Sequence, residues 1–336
     1  MLGLAKKLSP PKKDHSNCSG CSLCLLVCPV WRRTRDISLT PHGRAKALQN
    51  GASVNDIAVS INCCTLCMAC EPVCPENIGL TSMMLDLRRG LAAPLPELQA
   101  RMQESSSRPH ALATNAPMMF LPDPALLNRA DLLAQISKLL GGNDAVADDS
   151  VDISLALEAG VEIPAPRMEC FLAPLRKREK IVVGDGMLLR HLRDGLPGVR
   201  IVSLGEALSA LPAVRQGLRK DDLYVIEPRA YHSDYARLVK YYAALRVERG
   251  CAFNLDLQRI AIPATARSLS QRIGRASVED DAVQGRWLLQ GRTVTRIVVE
   301  NWEDGLALEK ITNIPVVHLA EVCQAVSSGN ARDEAH

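Results

Sequence analysis

Short apolar runs and longer stretches of helical period alternate along most of the chain, and the pattern changes character near residue 117. From there to residue 330, "PMMFL" precedes the helical "NRADLLAQISKLLGG", "KIVVGDG" precedes "MLLRHLRDG", and "VRIVSLG" precedes "EALSALPAV". "DLYVIEP" then precedes "YHSDYARLVKYYAALRVERG", "TRIVVEN" precedes "EDGLALEKI", and "PVVHLAEV" comes last. Short apolar strands alternating with helices predict an α/β domain with a mainly parallel sheet. Nearer the N-terminus only the helical period is found. In "SVNDIAVSIN", Ser53 stands at an N-cap position, and Val54, Ile57, Ala58 and Ile61 follow at i, i+3, i+4 and i+7. "TPHGRAKALQNG" predicts a second helix, beginning after Pro41 and stopping at Gly51. The stretch 93–116, "APLPELQARMQESSSRPHALATNA", is rich in Pro, Ser and Ala and reads as a linker. The expected organisation is therefore a helical unit over 1–92, a linker over 93–116 and an α/β unit over 117–330.

Composition limits what these units can do. The chain has 336 residues, of which 47% are apolar and only 3% aromatic, so its core must be mostly aliphatic. Its net charge of +3 comes from 40 basic and 37 acidic residues that are well mixed, which gives no footprint for nucleic acid or an anionic membrane. The basic start (Lys6, Lys7, Lys12, Lys13) reads as a solvated arm. No apolar run reaches the length of a transmembrane helix, and "MLGLAKKLSPPKK" lacks the apolar stretch of a signal peptide. A cytoplasmic location is expected, where thiols stay reduced. Clustered cysteines there point to metal rather than to disulfides.

Nine of the twelve cysteines fall in two runs, "CSGCSLCLLVCPVW" and "CCTLCMACEPVCPENI". Both fit C-x2-C-x2-C-x3-C-P, through Cys18, Cys21, Cys24, Cys28 and Pro29 and through Cys64, Cys67, Cys70, Cys74 and Pro75. Three thiolates spaced by three residues wrap three corners of an iron–sulfur cube. The fourth cysteine, one helical turn beyond the third, is carried past its own loop, and the proline stops or turns the chain there. Such a run ligates two [4Fe–4S] cubes in crossed fashion. The expected ligands are Cys18, Cys21, Cys24 and Cys74 for cluster one, and Cys64, Cys67, Cys70 and Cys28 for cluster two. Structural zinc, the alternative, takes two C-x-x-C pairs around one ion, whereas here a three-plus-one pattern is written twice. Cys63 would break the spacing and is expected to be a small buried or idle thiol. Leu23, Leu25, Leu26 and Val27, with Leu66, Met68, Ala69 and Val73, form an apolar shell that either a cluster or ordinary packing would demand.

"CSGCSLCLLVCPVW", "TPHGRAKAL" and "CCTLCMACEPVCPENI" together resemble the iron–sulfur subunit of glycolate oxidase, over residues 14–90. Iron–sulfur subunits of lactate utilisation and of anaerobic glycerol-3-phosphate dehydrogenase are similar, as is the small subunit of heterodisulfide reductase. The resemblance implies an α-helical ferredoxin that wires an FAD-containing dehydrogenase to quinone or another acceptor, itself non-catalytic and at most peripheral to the membrane through a partner. A wire in a heterodisulfide-reductase-like complex is the alternative, and a metal-stabilised scaffold without redox role is a third. The tail resembles a cysteine-depleted copy of that family's Cys-Cys-Gly domain: "FLPDPALL" stands in place of a cysteine motif, and "MECFLAPL" keeps only Cys170. By this reading the tail docks the wire to its partner and holds no further cluster. Cys170, Cys251 and Cys323 are too far apart for a local site and are expected to be buried structural thiols. "VVGDGMLL" lacks the third glycine of a dinucleotide fingerprint and reads as a strand-to-helix turn. "YHSDY", with His232 and Asp234, reads as a helix start, and no acid–base or nucleophilic constellation is found.

Overall fold

The computed structural model describes residues 13–91, 96, 100, 118–141, 150–257, 259–265, 267–272 and 281–323. The basic arm before Lys13 lies outside them, as does nearly all of the expected linker 93–116. The N-terminal unit is helical, as its periodicity predicts. Cys28 caps the helix Pro29–Thr34, with Pro29 in the first turn, where its missing N–H costs nothing. Thr40 caps the helix Pro41–Gln49 by accepting from the Gly43 N–H at 3.2 Å.

Two local expectations shift. The helix foreseen from Ser53 begins only at Ala58 and runs Ala58–Cys63. Ser53 and Asp56 bond each other reciprocally, the Ser53 N–H donating at 2.8 Å and its Oγ accepting from the Asp56 N–H at 3.3 Å, and this holds the preceding residues as a turn. The spacing from Cys70 to Cys74 is not helical either. Pro72 lies between them and denies the residue before it a helical conformation, so the chain turns twice, through Glu71 N–H to Met68 O and Cys74 N–H to Glu71 O. The helix Leu80–Arg89 then buries Leu80, Met83, Met84 and Leu87 against Ile61, Leu66 and Met68.

The C-terminal unit carries two parallel sheets where one was expected. β1 (Met118–Leu121), β2 (Lys180–Val183) and β3 (Arg200–Ser203) form the first, in that order. β4 (Asp222–Val225), β5 (Ala252–Phe253), β8 (Arg296–Val299) and β9 (Val316–His318) form the second, ordered β5-β4-β8-β9. β6 (Leu255–Asp256) and β7 (Ile260–Ala261) make a short antiparallel pair. Alternation along the first sheet feeds two cores: Phe120, Val182 and Val202 face one, which also takes the second sheet, while Met119, Leu121, Ile181 and Val183 face the other. Strands buried on both faces read as continuous apolar runs, which is why they stood out in the sequence.

The helical unit is not a separate bead on this body. Met187, from the helix after β2, packs into the core of Ile61, Met68 and Met84. Val27 and Ala69 pack with Ile260 and Ile262. The Arg32 guanidinium lies 3.5 Å from the Trp287 ring centroid and 3.2 Å from Asp256. Among the described residues, no helix is long and apolar enough to cross a membrane.

Candidate metal centre

The two cysteine loops share a backbone device. The residues on either side of each loop's second cysteine have positive φ: Gly20 (83°) and Ser22 (64°) around Cys21, Leu66 (50°) and Met68 (61°) around Cys67. Left-handed residues alternating with ordinary ones turn successive peptide N–H groups to one side, which builds the anion-holding concavity found at iron–sulfur sites. Only one of the four is glycine. Leu66 and Met68 therefore hold a conformation that costs a side-chain-bearing residue roughly 1–2 kcal/mol, sustained by their burial in the core.

The thiols fall into two neighbourhoods. The Cys24 thiol is pushed up to about 11, by burial first and then by the nearby Cys18, Cys21 and Cys74. Cys28, Cys64, Cys67 and Cys70 line one apolar pocket together with Val27, Leu66 and Met84. Burial pushes Cys28 up to about 11, with Cys64 adding to it and Arg44 opposing. Cys67 reaches about 11 by burial with Cys28 and Cys64 beside it, and Cys70 is pushed well up by burial and by Cys67 and Cys64. Cys70 also feels Cys24, so the two neighbourhoods adjoin. Cys74 thus lies near Cys24 of the first loop, and Cys28 lines the second loop's pocket.

Eight soft thiols, of which Cys24, Cys28, Cys67 and Cys70 are pushed up by burial, suit iron–sulfur chemistry, since a bound cationic cluster supplies the charge that ionises them. Among the described residues, no three His, Cys, Asp or Glu side chains close on a single metal ion. Cys63 ends the helix Ala58–Cys63 and is not among the residues lining the pocket.

The carbonyls of the second loop are held from outside. Arg88 Nη2 donates to Cys64 O at 2.6 Å, Arg229 Nη2 to Thr65 O at 2.8 Å, and His232 Nδ1 to Cys67 O at 2.8 Å. Burial pushes His232 down to about 4, so its ring is neutral and Nδ1 carries the proton toward the carbonyl. The first loop is held by the helix Pro41–Gln49, through Lys46 Nζ (3.0 Å) and Gln49 Nε2 (3.1 Å) to Cys18 O.

The sequence reading missed Arg229 and His232 as supports of the loop. Both sit on the helix Pro228–Ser233, far along the chain, and "YHSDY" carries no local sign of the contact. One expectation for the tail is corrected: Cys170 is exposed, because its helix Ala165–Leu175 turns Phe171 and Leu175 inward instead. Cys251 is buried and Cys323 half-buried.

Residues 14–78 match the family model described as a 4Fe-4S dicluster domain. No curated protein and no solved structure matches the chain. The matched stretch makes this an iron–sulfur protein of ferredoxin type with an electron-transfer role and at least one [4Fe–4S] cluster. A helical ferredoxin-like unit precedes the parallel-sheet region.

Proposed function

We propose that the chain relays electrons through two [4Fe–4S] clusters, one on Cys18, Cys21, Cys24 and Cys74 and the other on Cys64, Cys67, Cys70 and Cys28. The observation that carries this reading is the grouping of the thiols, in which Cys74 neighbours the first loop and Cys28 lines the pocket of the second. Each cluster, when bound, supplies one-electron transfer. The chain's own part is to hold the two quartets side by side, to keep water from the second with Leu66, Met68 and Met84, and to fix its loop through Arg88, Arg229 and His232.

The partner is an FAD-containing dehydrogenase of glycolate- or lactate-like 2-hydroxy acids, and the acceptor is a quinone reached at the inner face of the membrane. This step rests on the resemblance of residues 14–90. It is supported by the surface beside the first quartet, where Cys21 is exposed and Leu23 and Leu26 are 42% and 56% exposed. Protein purified without oxygen should carry about eight irons and eight sulfides per chain. Cys28→Ser should damage the site held by Cys64, Cys67 and Cys70 and leave the other. Zinc in place of iron, or spectra in which each loss stays with its own loop, would refute the assignment. Co-purification of the native chain with a flavoprotein tests the partner.

A further inference from the structure

Arg44 lies in the helix Pro41–Gln49 and is only 2% exposed. It lines the apolar pocket of the second quartet, together with Cys28, Cys64, Cys67 and Cys70. Arg88 is nearly as deeply buried, at 4%, and donates to the Cys64 carbonyl of the same quartet. Neither guanidinium has an ion pair among the described residues. Glu158, the carboxylate whose charge Arg88 feels, is paired with Arg229 and Arg272 at 3.1 and 3.2 Å.

Local hydrogen bonding explains part of Arg44. Its Nη1 donates to Leu39 O and Ser60 O, both at 2.9 Å, and to Ser60 Oγ at 3.2 Å. These bonds tie the helix Pro41–Gln49 to the helix Ala58–Cys63. They do not explain a full positive charge, since a neutral donor would satisfy the same oxygens. Arg44 Nε is buried with no partner, and so is Arg88 Nε. An arginine is almost never buried to this extent without a counter-ion, because an unpaired charge in the interior is costly.

The second quartet supplies that counter-ion when it is loaded. Four thiolates outweigh the positive charge of an iron–sulfur core, and each electron taken up adds one negative charge. The Arg44 charge already reaches the quartet, where it opposes the burial that lifts the Cys28 thiol. A fixed cation in a low-dielectric wall stabilises the more negative, reduced state over the oxidised one. At the first quartet the charge comes from Lys46, which is shared with an exposed Gln49, and Cys21 opens to water that screens it.

Resting on the reading of two clusters, we propose that Arg44 sets the potential of the second one, its uncompensated charge raising the reduction potential of the site on Cys64, Cys67, Cys70 and Cys28. The test is a redox titration of the full-length protein, prepared without oxygen, reduced stepwise with dithionite and followed by paramagnetic resonance. The parent should show two waves, and the wave that Cys28→Ser removes belongs to the second cluster. Arg44→Gln and Arg44→Lys both lose the Nη1 bonds, but only the lysine variant keeps the charge. Arg44→Gln should weaken reduction of the second cluster at least tenfold, a fall of about 59 mV for one electron, and shift the first wave less. Arg44→Lys should restore most of that loss. Ser60→Asp keeps Arg44 and sets a carboxylate beside its Nη1, so it too should lower the second wave. That variant decides the matter if both Arg44 variants lose their iron. The inference is overturned if Arg44→Gln or Ser60→Asp leaves the second wave in place, if both waves fall equally, or if the glutamine and lysine variants shift alike. A parent with a single wave and about four irons would instead refute the reading of two clusters, and this inference with it.

Discussion

Arg229 is 7% exposed and holds two things at once, the Glu158 carboxylate at 3.1 Å and the Thr65 carbonyl of the second cysteine loop. Burial pushes Glu158 up, but Arg229, Arg272 and Arg88 overcome it and hold the carboxyl at about 2. Unfolded, the same group titrates near 4.5. Its folded value is depressed, so its contribution is complete above pH 4.5 and is lost as pH falls toward 2. The size is on the order of 3 kcal/mol. Denaturant melts from pH 7 down to 2 should show that loss, and Arg229→Met should flatten it while costing about 3 kcal/mol at neutral pH. A second residue-scale test concerns Gly205. A Cβ there would fall 2.0 Å from the Glu300 carboxyl, which accepts from the Tyr224 and Tyr242 hydroxyls and from the Glu227 N–H. Gly205→Ala should displace Glu300 from those three donors and lower stability by roughly 2–4 kcal/mol in thermal or denaturant unfolding.

At the scale of elements, the helix Pro228–Ser233 matters most to the metal centre, because it carries both Arg229 and His232 to the second loop. Outer contacts of this kind commonly change metal affinity 10–100-fold. His232→Ala should therefore speed loss of iron to a chelator from the second site by about tenfold. The first site, held by Lys46 and Gln49, should be unaffected. The sequence did not disclose that helix's role, since the contact from His232 to Cys67 spans 165 residues and local patterns report only near neighbours. Where periodicity and burial agree, the elements were legible: β1, β2, β3, β4, β8 and β9 all lie inside the apolar runs picked from the chain. β5 to β7, two residues each, are too short to leave a pattern. The helix Val151–Ala159 was not picked out either, since its buried face includes Asp152, Ser154 and Glu158. The cysteine spacing was legible because ligand geometry writes itself into residue intervals.

Over the whole molecule, the two cysteine quartets differ in what covers them. The second is sheathed, its pocket walled by Leu80, Met83 and Met84 and its loop packed against Ile260, Ile262 and the helix Pro228–Ser233. The first faces outward through Cys21, the one exposed cysteine among the eight. That opening also admits dioxygen. The two sites should therefore age at different rates once the protein meets air. Timed exposure of protein prepared without oxygen, followed by iron assay and paramagnetic resonance of the reduced sample, should show iron falling in two phases. The outer site should be lost first, leaving an intermediate with about four irons per chain in the inner one. Loss of both sites at one rate would show that the sheath gives no protection. For an organism that meets air intermittently, this arrangement would confine repair to the outer site, rebuilt on a chain whose inner site has kept it folded.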